Sequence, residues 1–455
     1  MEQQQKTLIL NGNLRRLLFQ FSLPSITGMV VVALYNFVDT LFVGRWVGPL
    51  AIAGLTIVLP VMIFMIAIGL LTGVGAASVV SRSLGSGDEE RAHFAATNSI
   101  ILNLVLNIPI IGLIYLFMDN ILIFLGASAE VLPYAKDYLQ IILIGFAFYT
   151  FSINGNNLIR AEGKPRASMY AMLIGAGLNI ALDPIFIFVL GMGVRGAAVA
   201  TVISQVASCI FIYGFFFSRQ SIFQMSMVRF KLKKKIIRET LTIGTPSFLM
   251  EIVGSMMFLL FIKLVQRYGG DIYIAITGIG IRIVDLIFMP IVGIAHGFSP
   301  IVGFNYGAEF FPRVRTILKE ALFWTFIIAS TGLVFMVLFP EFLLGLFTDD
   351  PGLVSRGVMP LRIIAILSPL WSFPILGSSF FQAIGKAYPA LFITLSRQVL
   401  FFVPAVLILP VYLGLSGVWL SWPVTDVLSF LVSFGFLYRE VRIIRRESLL
   451  GNIRG

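Results

Sequence analysis

A carboxylate in the middle of a long apolar run demands a chemical explanation. Asp183 lies in Gly177-Leu-Asn-Ile-Ala-Leu-Asp-Pro184, inside an apolar segment that extends from Met169 to Leu190. Asn179 precedes it by four residues, so on a helix the two polar side chains share one face. Pro184 follows directly; it has no N–H, and its ring clashes with the carbonyl four residues back, at Ile180. The stretch therefore predicts a kinked helix with a freed backbone oxygen, an amide and an acid one turn apart. A charge at membrane depth costs from ~3 to over 10 kcal/mol, which makes an intramembrane acid a functional candidate. The chemistry it suits is the binding of a cation. The alternative is a structural acid paired with a buried arginine.

The elements that must position such a residue follow from composition. Of 455 residues 58% are hydrophobic and 12% charged, about half the charged share of an ordinary soluble domain. Apolar segments of spanning length recur at roughly 18–43, 51–77, 94–118, 132–155, 168–190, 195–217, 240–265, 274–302, 318–340, 357–382, 388–412 and 414–438, each close to the ~20 residues that cross a bilayer. The expected fold is all-α and polytopic, with twelve transmembrane helices. No cleavable signal peptide is read over Met1 to Gln20. With the N-terminus inside, 24 of the 33 Lys and Arg residues fall on inner segments and 7 on outer ones, while Arg282 and Arg397 lie within spans. This bias places both termini in the cytoplasm of a plasma-membrane protein. The net charge of +11 then reflects inner loops and anionic head groups rather than nucleic acid. The longest connection, residues 218–239, carries Lys231-Leu-Lys-Lys-Lys235 and reads as a basic, lipid-facing linker between two halves.

Those halves repeat. A shift of 222 residues brings Pro24-Ser25 onto Pro246-Ser247, Gly75 onto Gly297, Arg91 onto Arg313, and Arg160-Ala-Glu-Gly-Lys164 onto Gln382-Ala-Ile-Gly-Lys386. Gly193-Val-Arg-Gly196 meets Gly414-Leu-Ser-Gly417 at a shift of 221. The organisation expected is a six-helix lobe over 1–217, the linker over 218–239, and a second six-helix lobe with a basic tail over 240–455. Six is even, so both lobes enter from the same side and relate by an axis along the membrane normal, around a central cavity. The acids break the symmetry. Asp39 and Asp183 correspond to Phe261 and Ala405, and the second half has its own acids, Glu251, Asp285 and Asp426. Asp285, three residues after Arg282, reads as half of an internal ion pair; Asp426 is an open second-half candidate.

The chain resembles the multidrug and toxic compound extrusion (MATE) family, over about Arg16 to Arg439. The residues that carry the resemblance are Ser22-Leu-Pro-Ser25, Leu34-Tyr-Asn-Phe-Val-Asp39, Leu158-Ile-Arg-Ala-Glu-Gly-Lys164, Gly177 to Pro184, and Gly193-Val-Arg-Gly-Ala-Ala198 with Thr201. The resemblance implies a prokaryotic secondary antiporter that expels cationic or amphipathic drugs against inward Na⁺ or H⁺ by alternating access, with no other cofactor. It also implies a cation site built from Asp39 on the first span, Asn179 and Asp183 on the fifth and Thr201 on the sixth. By analogy with the family, Pro24 is a hinge in the first span.

The residue types agree with that site. Two carboxylates, an amide carbonyl and a hydroxyl offer hard oxygen ligands to Na⁺. Two neighbouring carboxylates in low dielectric also cannot both ionise cheaply and so can share a proton. Thr201 has the alternative of bonding its own helix backbone. Tyr35 and Asn36, about one turn before Asp39, and Asn154 and Asn157, closing the fourth span, are candidates to line a substrate cavity; the alternative is hydrogen bonding between helices. The partners expected are small-molecule substrates and membrane lipid, with no nucleic acid, and the chain is read as a monomer. An enzyme is disfavoured because only His93 and His296 are present and no metal cluster or nucleophile-base pair is seen. The nearest rival is a flippase or exporter of lipid-linked or other amphipathic metabolites, which would call for a more cationic cavity.

Overall fold

The computed structural model describes residues 2–46, 49–223 and 231–454, with side chains described except at 2–5, 36–41, 43–46, 49 and 448–454. It is helical along almost all of that length. The spanning helices are α1 (Leu14–Trp46), α2 (Pro49–Ser86), α3 (Glu89–Leu116), α4 (Leu132–Ala161), α5 (Pro165–Pro184, continued by a π-helical turn over Ile185–Val189) and α6 (Gly193–Phe217). In the second half come α7 (Lys234–Gly269), α8 (Asp271–Gly307), α9 (Phe311–Leu338) and α10, which is bent by 44° between Pro351–Ala365 and Ser368–Ala383. The remaining helix, from Ala387, is interrupted by a π-helical stretch over Ser396–Phe402 and broken at Gly414, where φ is 56° and ψ −140°. The break makes it two spans, α11 before Gly414 and α12 after. Among the described residues ten helices are long and apolar enough to cross a membrane, the bent pair is an eleventh, and the Gly414 break supplies the twelfth.

Several helices run past their apolar segments. α8 covers 271–307 where the apolar run predicts 274–302, and α12 continues to Arg454. Beyond its apolar run α12 stays helical while exposing Arg442, Arg445 and Arg446, so apolarity under-reads its length.

The chain forms two compact units. One comprises Met1–Leu8 and Thr27–Glu251, the other Ile9–Ile26 and Ile252–Gly455. By compactness, therefore, the first half of α1 belongs with the second unit and the first half of α7 with the first. The repeated glycines show why. In the first unit a Cβ on Gly75 of α2 would run into the Thr240 carbonyl of α7, and one on Gly244 into the Leu71 carbonyl. In the second unit a Cβ on Gly297 of α8 would stand 2.6 Å from the Ser22 nitrogen of α1, and one on Gly293 2.8 Å from the Ile26 Cα. Small residues at these crossings let two helix backbones touch, which is how membrane helices gain packing without a hydrophobic drive.

The repeated arginines secure the same half-helices at their polar ends. Arg91 and Arg82 donate to Glu239 at the start of α7, at 2.7 and 2.9 Å. Arg313 donates to the Gly12 and Ile9 carbonyls just before α1, at 2.8 and 3.1 Å. The Gly-x-x-Gly repeat has a geometric role as well. Gly193 and Gly414 both take φ 56°, a conformation that a Cβ disfavours. Gly196 and Gly417 lie against the Phe186 and Leu409 carbonyls of the preceding helices.

Candidate ion-coupling site

Two neighbouring helices of the first unit, α5 and α6, build the polar cluster foreseen around Asp183. Asn179 and Asp183 stand one turn apart on α5, and Thr201 comes from α6. The Asn179 Nδ2 donates to Thr201 Oγ1 at 3.2 Å and lies 3.4 Å from Asp183 Oδ1. Asp183 is fully buried, Asn179 is 2% exposed and Thr201 8%. The Asn179 Oδ1 is buried and makes no hydrogen bond among the described residues, an arrangement that leaves a carbonyl acceptor beside a carboxylate. Thr201 thus bonds across to α5, the arrangement in which its hydroxyl can serve a ligand. The helix is disturbed directly after the cluster: beyond Pro184 the backbone widens to a π-helical turn, and the Leu190 N–H reaches back five residues to the Ile185 carbonyl at 2.9 Å. Such turns relieve a ladder interrupted by proline and often accompany functional sites.

Asp39 and Asn36 lie on α1 where side chains fall outside the described residues. Tyr35, half-buried, precedes them. Pro24 is buried inside α1, two residues before the chain passes from one compact unit to the other at Ile26–Thr27.

The asparagines that close α4 are held by hydrogen bonds. Asn154 is fully buried; it donates to Thr72 Oγ1 of α2 at 3.0 Å and accepts from Ser99 Oγ of α3 at 3.4 Å. Asn103 of α3 donates to the same Thr72 hydroxyl at 3.0 Å. Asn154 is thus part of a polar core joining α2, α3 and α4. Asn157 is buried too, donating to the Ile153 carbonyl at 2.8 Å and accepting from the Arg160 guanidinium at 2.9 Å. Both bonds of Asn157 stay within α4, whereas Asn154 takes the interhelical alternative. The cause is a row of Thr, Ser and Asn on the facing helices, with which a membrane-buried amide pairs.

The second-half acids are placed differently from one another. Glu251 is half-buried at the end of the first compact unit. Asp285 is exposed on α8, one turn from Arg282. Asp426 on α12 is 1% exposed, with Trp371 Nε1 of α10 donating to it at 2.8 Å and Arg397 Nη2 of α11 at 3.3 Å. This cluster escaped the sequence reading. Its signal was present, since an arginine inside a span needs a partner and Asp426 is the acid in the next span.

Twelve spans with an acid, an amide and a hydroxyl buried together between helices define a polytopic membrane transporter. The chain belongs to the MATE family: the MatE family model matches residues 24–185 and again residues 246–407. The two matches start 222 residues apart, the shift at which the sequence repeats. The chain is 29% identical over 427 residues to the multidrug export protein MepA of Staphylococcus aureus, covering 92% of this chain and 93% of that one. It also matches crystal structures of a MATE protein in its straight conformation (TM-score 0.92, 30% identity, 97% of this chain and 99% of that one) and in its bent conformation (TM-score 0.91, 30% identity, 98% and 99%). This is a family of transporters and not of enzymes.

Proposed function

We propose that this protein is a multidrug exporter that expels cationic or amphipathic compounds in exchange for inward Na⁺ or H⁺. The two six-helix lobes, 1–217 and 240–455, joined by the basic 218–239 linker, alternate the access of their substrate between the two sides of the plasma membrane, with both termini in the cytoplasm. The driving cation is bound by Asp39, Asn179, Asp183 and Thr201. The single observation that carries this reading is the buried Asn179–Asp183–Thr201 cluster, in which the Asn179 carbonyl oxygen has no hydrogen-bond donor among the described residues. The MepA relative supports the drug as cargo through its name.

The cluster has the chemistry for reversible cation binding. The Asn179 amide donates to the Asp183 carboxylate and the Thr201 hydroxyl. Turning that amide over exchanges its nitrogen for its oxygen and aims three oxygens, one each from Asn179, Asp183 and Thr201, toward the same space. Na⁺ as the transported ion would accept those oxygens as ligands; a proton would reside on a carboxyl and donate to the amide oxygen. In either case the cation drives the cycle only through a difference in its affinity for the two conformations. The side chains one turn earlier on α1, at Tyr35 and Asn36, are proposed to meet the substrate.

The test is efflux of ethidium, an organic cation, from proteoliposomes containing the purified protein. A pH gradient is imposed alone, then a Na⁺ gradient alone. Efflux uphill in at least one arm is expected. Equilibration without accumulation in both arms refutes ion coupling, and ion-independent movement of a fluorescent lipid would favour the flippase.

A further inference from the structure

The second lobe offers a comparison with the cation site at every position. At the repeat shift, Asp39 corresponds to Phe261, Asn179 to Phe401, Asp183 to Ala405, and, at 221, Thr201 to Trp422. Around these positions the second unit is packed with aromatic rings. Phe261 is fully buried, with the Trp422 ring 5.6 Å and the Phe402 ring 6.0 Å from it, and Phe402 and Trp422 are 4.9 Å apart. None of the four counterpart side chains, Phe261, Phe401, Ala405 and Trp422, offers an oxygen ligand to a cation.

One turn further along α12 the second lobe nevertheless buries an acid. Asp426 would be a strong cation site if it stood alone, but it is met by the Arg397 guanidinium from the π-helical stretch of α11 and by the Trp371 indole from the bend of α10. Both irregular helical segments thus deliver donors to one carboxylate. α11 and α12 are the counterparts of α5 and α6, the pair that holds Asn179, Asp183 and Thr201. We infer that Arg397 is a tethered cation, occupying at Asp426 the place that an exchangeable cation takes at Asp183, so that the acid of the second lobe is closed to the driving ion and to cationic substrates. The inference rests on the proposed reading of Asp183. Coupling then runs through one lobe alone, and Asp426 serves to pin three helices of the other.

A buried ion pair can be exchanged for neutral side chains together at little cost, whereas removing one partner leaves the other charge uncompensated. That asymmetry supplies the experiment. Bound cation is counted on the purified full-length chain in nanodiscs, as radioactive Na⁺ at saturation and, in Na⁺-free buffer, as protons released on stepping the pH upward. Arg397→Lys, which keeps a tethered charge, should bind as many cations as wild type. Arg397→Met should gain about one exchangeable cation per chain, and Arg397→Met/Asp426→Asn should lose that gain and return to the wild-type count. A double variant that binds fewer cations than wild type overturns the inference, as does a folded Arg397→Met that gains none. Should Arg397→Met fail to fold, the double variant decides alone: the wild-type count supports the tethered cation and a lower count overturns it. A wild-type count in Asp183→Asn refutes the first-lobe reading instead, and the Arg397 comparison is still settled by the difference between its single and double variants.

Discussion

Replacing Asn154 by leucine separates a structural amide from a substrate ligand. The side chains are of similar size, so the change removes hydrogen bonds with little change in volume. Asn154 makes one short bond, to Thr72 Oγ1 at 3.0 Å, and two long ones with Ser99, at 3.4 and 3.5 Å. Hydrogen bonds between membrane helices are worth ~0.6–2 kcal/mol each. The partners are not stranded by the loss. The Thr72 hydroxyl still accepts from Asn103 and can donate to the Ile68 carbonyl, and Ser99 still donates to the Ala96 carbonyl at 2.8 Å. The loss should therefore stay at about 1–2 kcal/mol, below the penalty for a buried group left unpaired. The assay is reversible unfolding in mixed micelles alongside ethidium efflux kinetics. Asn154→Leu should unfold more readily by that amount while KM for ethidium stays within about twofold. Unchanged stability with KM raised tenfold would refute the interhelical placement and restore Asn154 to the substrate path.

Two further outcomes follow from the helix crossings and from α1. Gly297→Val sets a side chain against the Ser22 and Phe21 backbone, so no rotamer change relieves it; a loss of about 3 kcal/mol or failure to insert is expected, while Gly435→Ala, which meets nothing within 4 Å, should be neutral or slightly stabilising in a thermal-shift measurement. Pro24→Ala restores an N–H where α1 changes compact unit, removes a soft point, and should slow ethidium turnover severalfold with its equilibrium dissociation constant within about twofold; unchanged turnover would count against a hinge.

How legible the molecule is in its sequence depends on how local the cause is. The Asn-x-x-x-Asp spacing needs only the helical period, and the structure places Asn179 and Asp183 3.4 Å apart as that period requires. The repeat, too, lies in the residues: Gly193 and Gly414 share one backbone conformation, and Gly75 and Gly297 share one kind of crossing. What a linear reading misses is set by partners distant in the chain. Asn154 resembles a cavity residue until Thr72 and Ser99 are seen across from it, and Asp426 looks like a candidate coupling acid until Arg397 and Trp371 arrive from two other helices. The division of α1 after Ile26 is of the same kind, because a helix that is continuous in hydropathy carries no mark of which lobe packs its first half.

The central claim is that the driving cation acts at Asp183. Asp183→Asn keeps the size and hydrogen bonding of the side chain and removes its charge, which makes gradient-driven ethidium efflux by this variant, at matched reconstitution, the most direct measurement. Uphill efflux should vanish while the protein remains folded and still binds ethidium. Asp39→Asn should behave nearly alike, and Asn179→Ala should weaken coupling more mildly because a neutral ligand holds a cation less strongly than a carboxylate. Wild-type efflux by Asp183→Asn would contradict the account.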